Sequence, residues 1–170
     1  MDWFESAKKS LEEAKAREAV AKEMLAPSLK VLGGARHEAV RLNHNYVGAE
    51  HFLLALMRSN TGVSIQALKT SGADLEAIRL GLEGGNPTPG SGKNDGPIPY
   101  TPRMKRIIEL AMNEAKSLGH ARVEPDHLFL GLLQENNSFP AQIFWRLKVD
   151  RVKIRKEILE ELKRRPDAMS

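Results

Sequence analysis

The stretch Leu42-Asn-His-Asn-Tyr-Val-Gly-Ala-Glu-His-Phe-Leu-Leu-Ala-Leu-Met57 returns 76 residues later as Leu118-Gly-His-Ala-Arg-Val-Glu-Pro-Asp-His-Leu-Phe-Leu-Gly-Leu-Leu133. The same ungapped shift lays Ala35 on Ala111, Glu38 on Glu114, Gln66 on Gln142, Asp74 on Asp150 and Arg79 on Arg155. Roughly a quarter of the aligned positions are identical, and fixed-offset self-similarity of this kind marks a duplicated structural unit. Each copy ends in an apolar run that follows a histidine, which reads as the start of a buried helix.

Working outward, the remaining periodicity is helical. Ile107, Ile108, Ala111, Met112, Ala115 and Leu118 recur at helical intervals, and Gly119 stops that helix. Asp126 is expected to cap a helix running from Leu128 to Gln134, and Val149-Asp150 opens an amphipathic helix carrying Ile154, Ile158 and Leu162. Phe139-Pro-Ala-Gln-Ile-Phe-Trp145 reads as a short buried helix starting near Pro140. The chain divides into an extra N-terminal helix (1–24), a first repeat (25–83), a Gly/Pro-rich linker (84–100), a second repeat (101–164) and a tail (165–170). The linker's glycines and prolines predict tryptic cleavage near Lys93. Trp3, Phe4, Ala7, Leu11 and Ala14 give the extra helix a weak apolar stripe, and we expect it to lie against the repeats rather than reach out as a coiled-coil arm.

Composition excludes several classes. The 170 residues contain no cysteine, which removes disulfides, thiolate metal sites and thiol nucleophiles. No apolar run approaches the ~20 residues that cross a bilayer, and the charged N-terminus lacks a signal-peptide core, so the expected setting is cytoplasmic. Lys and Arg total 26 against 22 Asp and Glu, a mixed surface with a modest excess. The cluster Lys153, Arg155, Lys156, Lys163, Arg164 and Arg165 is interrupted by Glu157, Glu160 and Glu161 and reads as a solvated helix face rather than a nucleic-acid patch.

The duplicated stretch, with Tyr100-Thr-Pro-Arg-Met-Lys-Arg-Ile-Ile-Glu-Leu-Ala111, resembles the N-terminal domain of Clp-family AAA+ unfoldases, most like the ClpC subgroup, over about residues 25 to 163. The resemblance implies an all-α fold of two tandem four-helix repeats related by a pseudo-two-fold axis, here with the extra N-terminal helix. It implies a non-enzymatic, protein-binding module of protein quality control, whose partners are substrate segments, an adaptor or a Clp ATPase, with no cofactor. The ATPase modules of that family have no counterpart: Gly90-Ser-Gly-Lys-Asn94 has Pro87 where a P-loop needs its first glycine and Asn94 where it needs Ser or Thr. The chain is then a free-standing protein, which the extra helix favours, or the excised N-terminal domain of a full unfoldase. A basic nucleic-acid-binding or regulatory protein is the remaining alternative.

The candidate sites follow. His44/His51 and His120/His127 suggest metal ligation by their duplication, but helix-breaking residues separate each pair and no further ligand is evident; they read as helix-boundary residues, with no metal. No nucleophile elbow or zincin helix is present, so no catalytic residue is assigned. In the ClpC-type domain each repeat has a small acidic pocket for a phosphorylated arginine, lined by the carboxylate before the histidine and by a threonine at the repeat's start. By position, the first pocket keeps Glu50 but has Leu25 for the threonine; the second keeps Thr101 and has Asp126. A carboxylate suits a planar guanidinium, since it accepts two parallel hydrogen bonds. Because Thr101 is present, the second pocket is expected to bind better.

Overall fold

A computed structural model describes residues 2–85 and 97–165. The described residues are helical: α1 (Trp3–Met24), a single 3-10 turn at Ala26–Ser28, α2 (Leu29–Arg41), α3 (Ala49–Ser59), α4 (Val63–Thr70), α5 (Leu75–Glu83), α6 (Pro102–Ser117), α7 (Pro125–Gln134), α8 (Phe139–Arg146) and α9 (Arg151–Arg164). Short polar side chains start several of them. Asp74 accepts from the Ala77 amide, Thr101 from Met104, Ser138 from Ala141 and Asp150 from Lys153. Each bond satisfies an amide that the first helical turn leaves without a carbonyl.

The expected two four-helix repeats are present as α2–α5 and α6–α9, and their mutual contacts are reciprocal. α4 lies on α9 while α5 lies on α8; α3 meets α8 while α4 meets α7. This exchange of partners is what a two-fold relation between equivalent units produces. The α2–α3 and α6–α7 hairpins form the centre, burying Leu54 and Leu56 in one repeat and Leu130 and Leu132 in the other. Gly131 lets α6 and α7 touch: a Cβ there would sit 2.5 Å from the Ile107 carbonyl oxygen.

Each repeat also buries a glutamate at an equivalent position. Glu38 on α2 receives Arg58 at 2.6 Å and Arg41 at 2.7 Å, while Glu114 on α6 receives Arg155 at 2.5 Å together with Gln134. A charge this deep persists only when paired, so these positions tie the helices of each repeat. Arg155 is therefore held by a buried partner, and does not belong to the solvated face that the sequence suggested.

Three further expectations change. α1 buries none of its residues, and Trp3, Phe4, Leu11 and Val20 stay exposed. Its stripe is sparse, five positions with two of them alanine in a 22-residue helix, and offers too little apolar area to hold that helix against the repeats. Trp145 is also exposed, because the eight-residue α8 turns Ile143 and Phe144 inward and leaves the next position outside. The helix expected from Leu128 begins at Pro125 with Glu124 as its N-cap, which frees Asp126 for another use. Lys93 and the tail beyond Arg165 lie outside the described residues.

Leu130 is fully enclosed, so Leu130→Ala should cost about 2–5 kcal/mol in urea unfolding. Gly131→Ala should cost about 1–3 kcal/mol by forcing α6 from α7. A wild-type-like midpoint for either variant would contradict this core.

Candidate ligand-binding site

A helix beginning inside a protein must find acceptors for its first amides. α4 has a particular difficulty. Its N-cap, Gly62, has φ +97°, a conformation that side-chain-bearing residues rarely adopt. A glycine cap has no oxygen of its own to offer. The acceptor comes from the other repeat: Asp126 Oδ1 takes the Ser64 amide at 2.9 Å and the Ser64 hydroxyl at 2.7 Å, and Oδ2 takes the Val63 amide at 3.4 Å. Asp126 is buried, with both oxygens engaged. The two-fold mate of Gly62 is Ser138, with φ −76°, and it caps α8 with its own hydroxyl.

Glu50, the mate of Asp126, is consequently not required at α8. It stands in the first turn of α3, and its carboxylate folds back over Gly48, where a Cβ would come within 2.6 Å of an oxygen. The His51 ring lies nearest among the titratable groups, its Nδ1 at 4.0 Å, and among the described residues no hydrogen-bond donor is spent on the carboxylate. The carboxylate lines a recess of about 300 Å³ between the repeats, walled by His44, Tyr46, Leu82, Phe139 and Gln142. Glu50 comes from α3, His44 and Tyr46 from the loop before it, Leu82 from α5, and Phe139 and Gln142 from α8.

Thr101 does not stand with Asp126. α6 and α7 are antiparallel, since His120 just past α6 meets His127 at the start of α7. Thr101 therefore lies at the opposite end of that hairpin from Asp126. Its amide donates to the Val47 carbonyl at 3.0 Å, and the Val47 amide donates to Pro99 at 2.8 Å, pinning it to the loop that leads into Glu50. Val123, the mate of Val47, is held by Met24 and by the Ser28 hydroxyl. The start of each repeat thus crosses to the other repeat's loop. The expected pairing of Thr101 with Asp126 is replaced by a Thr101–Glu50 neighbourhood, which a ledger of positions within one repeat does not reveal.

His44, Glu50 and His51 gather three potential ligand atoms within 4.8 Å, yet the histidines have another task. The Gly48 amide donates to His51 Nδ1 at 2.9 Å, so the ring proton sits on Nε2 and is donated to His44 Nδ1 at 2.7 Å. The same relay runs from the Glu124 amide to His127 at 2.8 Å and on to His120 at 2.9 Å. With both nitrogens of His51 occupied, a metal would have to break the start of α3. Burial, and then the neighbouring His44, push the His51 pKa down from 6.5 to about 4. The depressed value means that the unfolded chain takes up this proton first. Stability from neutral His51 is complete above about pH 6.5 and is lost as pH falls towards 4. An NMR titration of the His51 ring should show a midpoint near 4, with the urea midpoint already lower at pH 5 than at pH 7. A ring midpoint near 6.5 would contradict the relay.

Among the described residues, no helix is long and apolar enough to cross a membrane. The sequence matches the family described as the Clp repeat (R) N-terminal domain over residues 26–121 and again over 99–170. A curated relative, the negative regulator of genetic competence ClpC/MecB of Bacillus subtilis (strain 168), is 40% identical over 134 residues, covering 78% of this chain and 16% of the relative. The chain thus spans about a sixth of the length of the curated relatives it matches. Among solved structures, the Hsp104 N-terminal domain from Candida albicans aligns with TM-score 0.67 at 17% identity, covering 85% of this chain and 95% of that one. A ClpV N-domain in complex with a VipB peptide aligns with TM-score 0.65 at 19% identity, covering 90% of this chain and 94% of that one. With two matches that together run through both repeats, this chain belongs to the Clp repeat N-terminal domain family.

Proposed function

We propose that this chain is a non-enzymatic protein-binding module of Clp-type quality control, and that the recess at Glu50 receives an arginine-type side chain. The observation carrying the reading is Glu50 itself: a carboxylate lining a recess between the repeats, with no donor spent on it among the described residues. A guanidinium supplies two parallel donors to such a carboxylate, and the recess that holds it is lined in part by Phe139. Thr101 is bonded to the same loop, its amide donating to the Val47 carbonyl three residues before Glu50. Membership in the Clp repeat family, and the peptide complex of the ClpV domain, support a segment of a protein as the natural ligand class. An adaptor or a Clp ATPase would be met through the same module.

This assignment reverses the order expected from sequence. Asp126 is shorter by one methylene and is already occupied by α4, so drawing it onto a ligand would undo a helix cap. The competing phosphate-binding reading has less support, because Arg155 is bound to buried Glu114, Arg164 pairs with Glu161, and Glu157 and Glu160 interrupt the remaining cations of α9.

Calorimetric titration with a phosphoarginine peptide tests the reading. Wild-type protein should bind, and Glu50→Gln should lose at least about tenfold in affinity, matching a charge-assisted contact of roughly 1.5–3 kcal/mol. Asp126→Asn, once shown to be folded, should bind within about threefold of wild type. Absence of heat with wild type, or equal affinity for Glu50→Gln, would remove the recess from consideration.

A further inference from the structure

The duplication provides its own control for surface chemistry, and one surface fails the comparison. Trp145 at the end of α8 is 83% exposed and Val152 in the first turn of α9 is 81% exposed. Their mates in the first repeat are Lys69 and Glu76, ordinary solvent-facing residues. The intervening charge differs in the same place. From Trp145 to Lys156 the cations are Arg146, Lys148, Arg151, Lys153, Arg155 and Lys156, against the one carboxylate of Asp150. The corresponding stretch from Lys69 to Leu80 balances Lys69 and Arg79 with Asp74 and Glu76. Asp150 is also committed, accepting the Lys153 amide as the cap of α9. Arg155 is spent on Glu114, whereas Arg146, Lys148, Arg151, Lys153 and Lys156 form no ion pair among the described residues.

Between the tryptophan and the valine lies a recess of about 740 Å³, walled by Ala141, Gln142, Val149 and Asn136 and rimmed by Arg146, Arg151 and Asp150, so that two cations face one carboxylate there. Its volume accommodates a large apolar side chain. An exposed Trp and Val beside such a recess carry a desolvation gain that solvent leaves unrealised. Arg151 donates to Asn136 Oδ1 across the wall and so is held at the rim, Arg146 beside it forms no ion pair among the described residues, and their positive charge selects what approaches.

We propose that this face of α8 and α9 is a second docking surface, which meets the Glu50 recess at Gln142, for an acidic peptide segment that seats an apolar anchor beside Trp145. The charge complementarity identifies the occupant: apolar contact supplies the anchor, and carboxylates on either side of it meet Arg146, Lys148, Arg151 and Lys153. A single-stranded nucleic acid fits less well. Such ligands stack on successive aromatic platforms, while here one aromatic stands beside aliphatic and amide walls.

The chain has two tryptophans, so the Trp3→Phe protein reports on Trp145 alone. A short peptide with Asp and Glu on both sides of a Leu-Phe pair should shift Trp145 emission to shorter wavelength in a saturable titration. Raising salt from roughly 50 to 200 mM should weaken that binding several-fold. Trp145→Lys/Val152→Glu, which gives this face the residues of the first repeat, should weaken it at least about tenfold, measured with a fluorescein-labelled form of the same peptide. Both positions are exposed, so the double variant should unfold at the wild-type urea midpoint. Equal binding of the peptide by wild type and double variant overturns the proposal. So does a Trp145 response to a single-stranded oligonucleotide but not to the peptide, or to a lysine-substituted peptide as strongly as to the acidic one.

Discussion

The start of α4 constrains the whole arrangement. Gly62 holds a backbone conformation that denies it a side chain, and the amides beyond it are inside the protein. A missing cap in a buried place costs the full desolvation of its donors. Asp126 of the other repeat removes that cost with both of its oxygens. The repeats are joined by apolar contact through reciprocal helix pairs, but this is a directional bond between them, and it fixes how α4 and α7 meet. It also determines which acidic residue has a carboxylate to spare.

Duplication normally leaves two copies of the same device, and here the copies have separated in role through small changes. Ser138 in place of Gly62 lets α8 cap itself, so Glu50 has no structural debt at its helix start. Gly48, where the second repeat has Glu124, leaves room for the Glu50 carboxylate to fold back. The histidine relays and the buried Glu38 and Glu114 have stayed in both halves, because each fixes a helix hairpin that both repeats need. The relays and the buried glutamates are alike in the two repeats, while the cap positions Gly62 and Ser138, the carboxylates Glu50 and Asp126, and the surface pair Lys69 and Trp145 have diverged.

Much of this was legible before any coordinates. The 76-residue shift, which lays Leu54 on Leu130 and Leu56 on Leu132, and the helical spacing of Ile107, Ala111 and Ala115 identify two helical units and their core, since burial stamps a period on the chain. What spacing does not encode is which element lies opposite. Thr101 shares a repeat with Asp126 yet is bonded to the loop before Glu50, because the repeats exchange their leading segments. Trp145 and the stripe of α1 looked like core residues from type and period, but α8 is too short to bury two faces and α1 has too little apolar area. The cap on α4 had a trace in the alignment of Gly62 with Ser138: one copy carries a capping hydroxyl and the other cannot.

The central claim is a division of labour between two equivalent carboxylates, and equilibrium unfolding in urea tests it most directly. Asp126→Ala removes the acceptor for buried donors of α4 and should destabilise the protein by about 1–3 kcal/mol. Glu50→Ala removes a carboxylate whose structural contribution is a favourable place in a first helical turn, and should cost less than about 1 kcal/mol. Measured side by side at neutral pH, Asp126→Ala should have clearly the lower midpoint. Equal losses, or a greater loss for Glu50→Ala, would contradict the account.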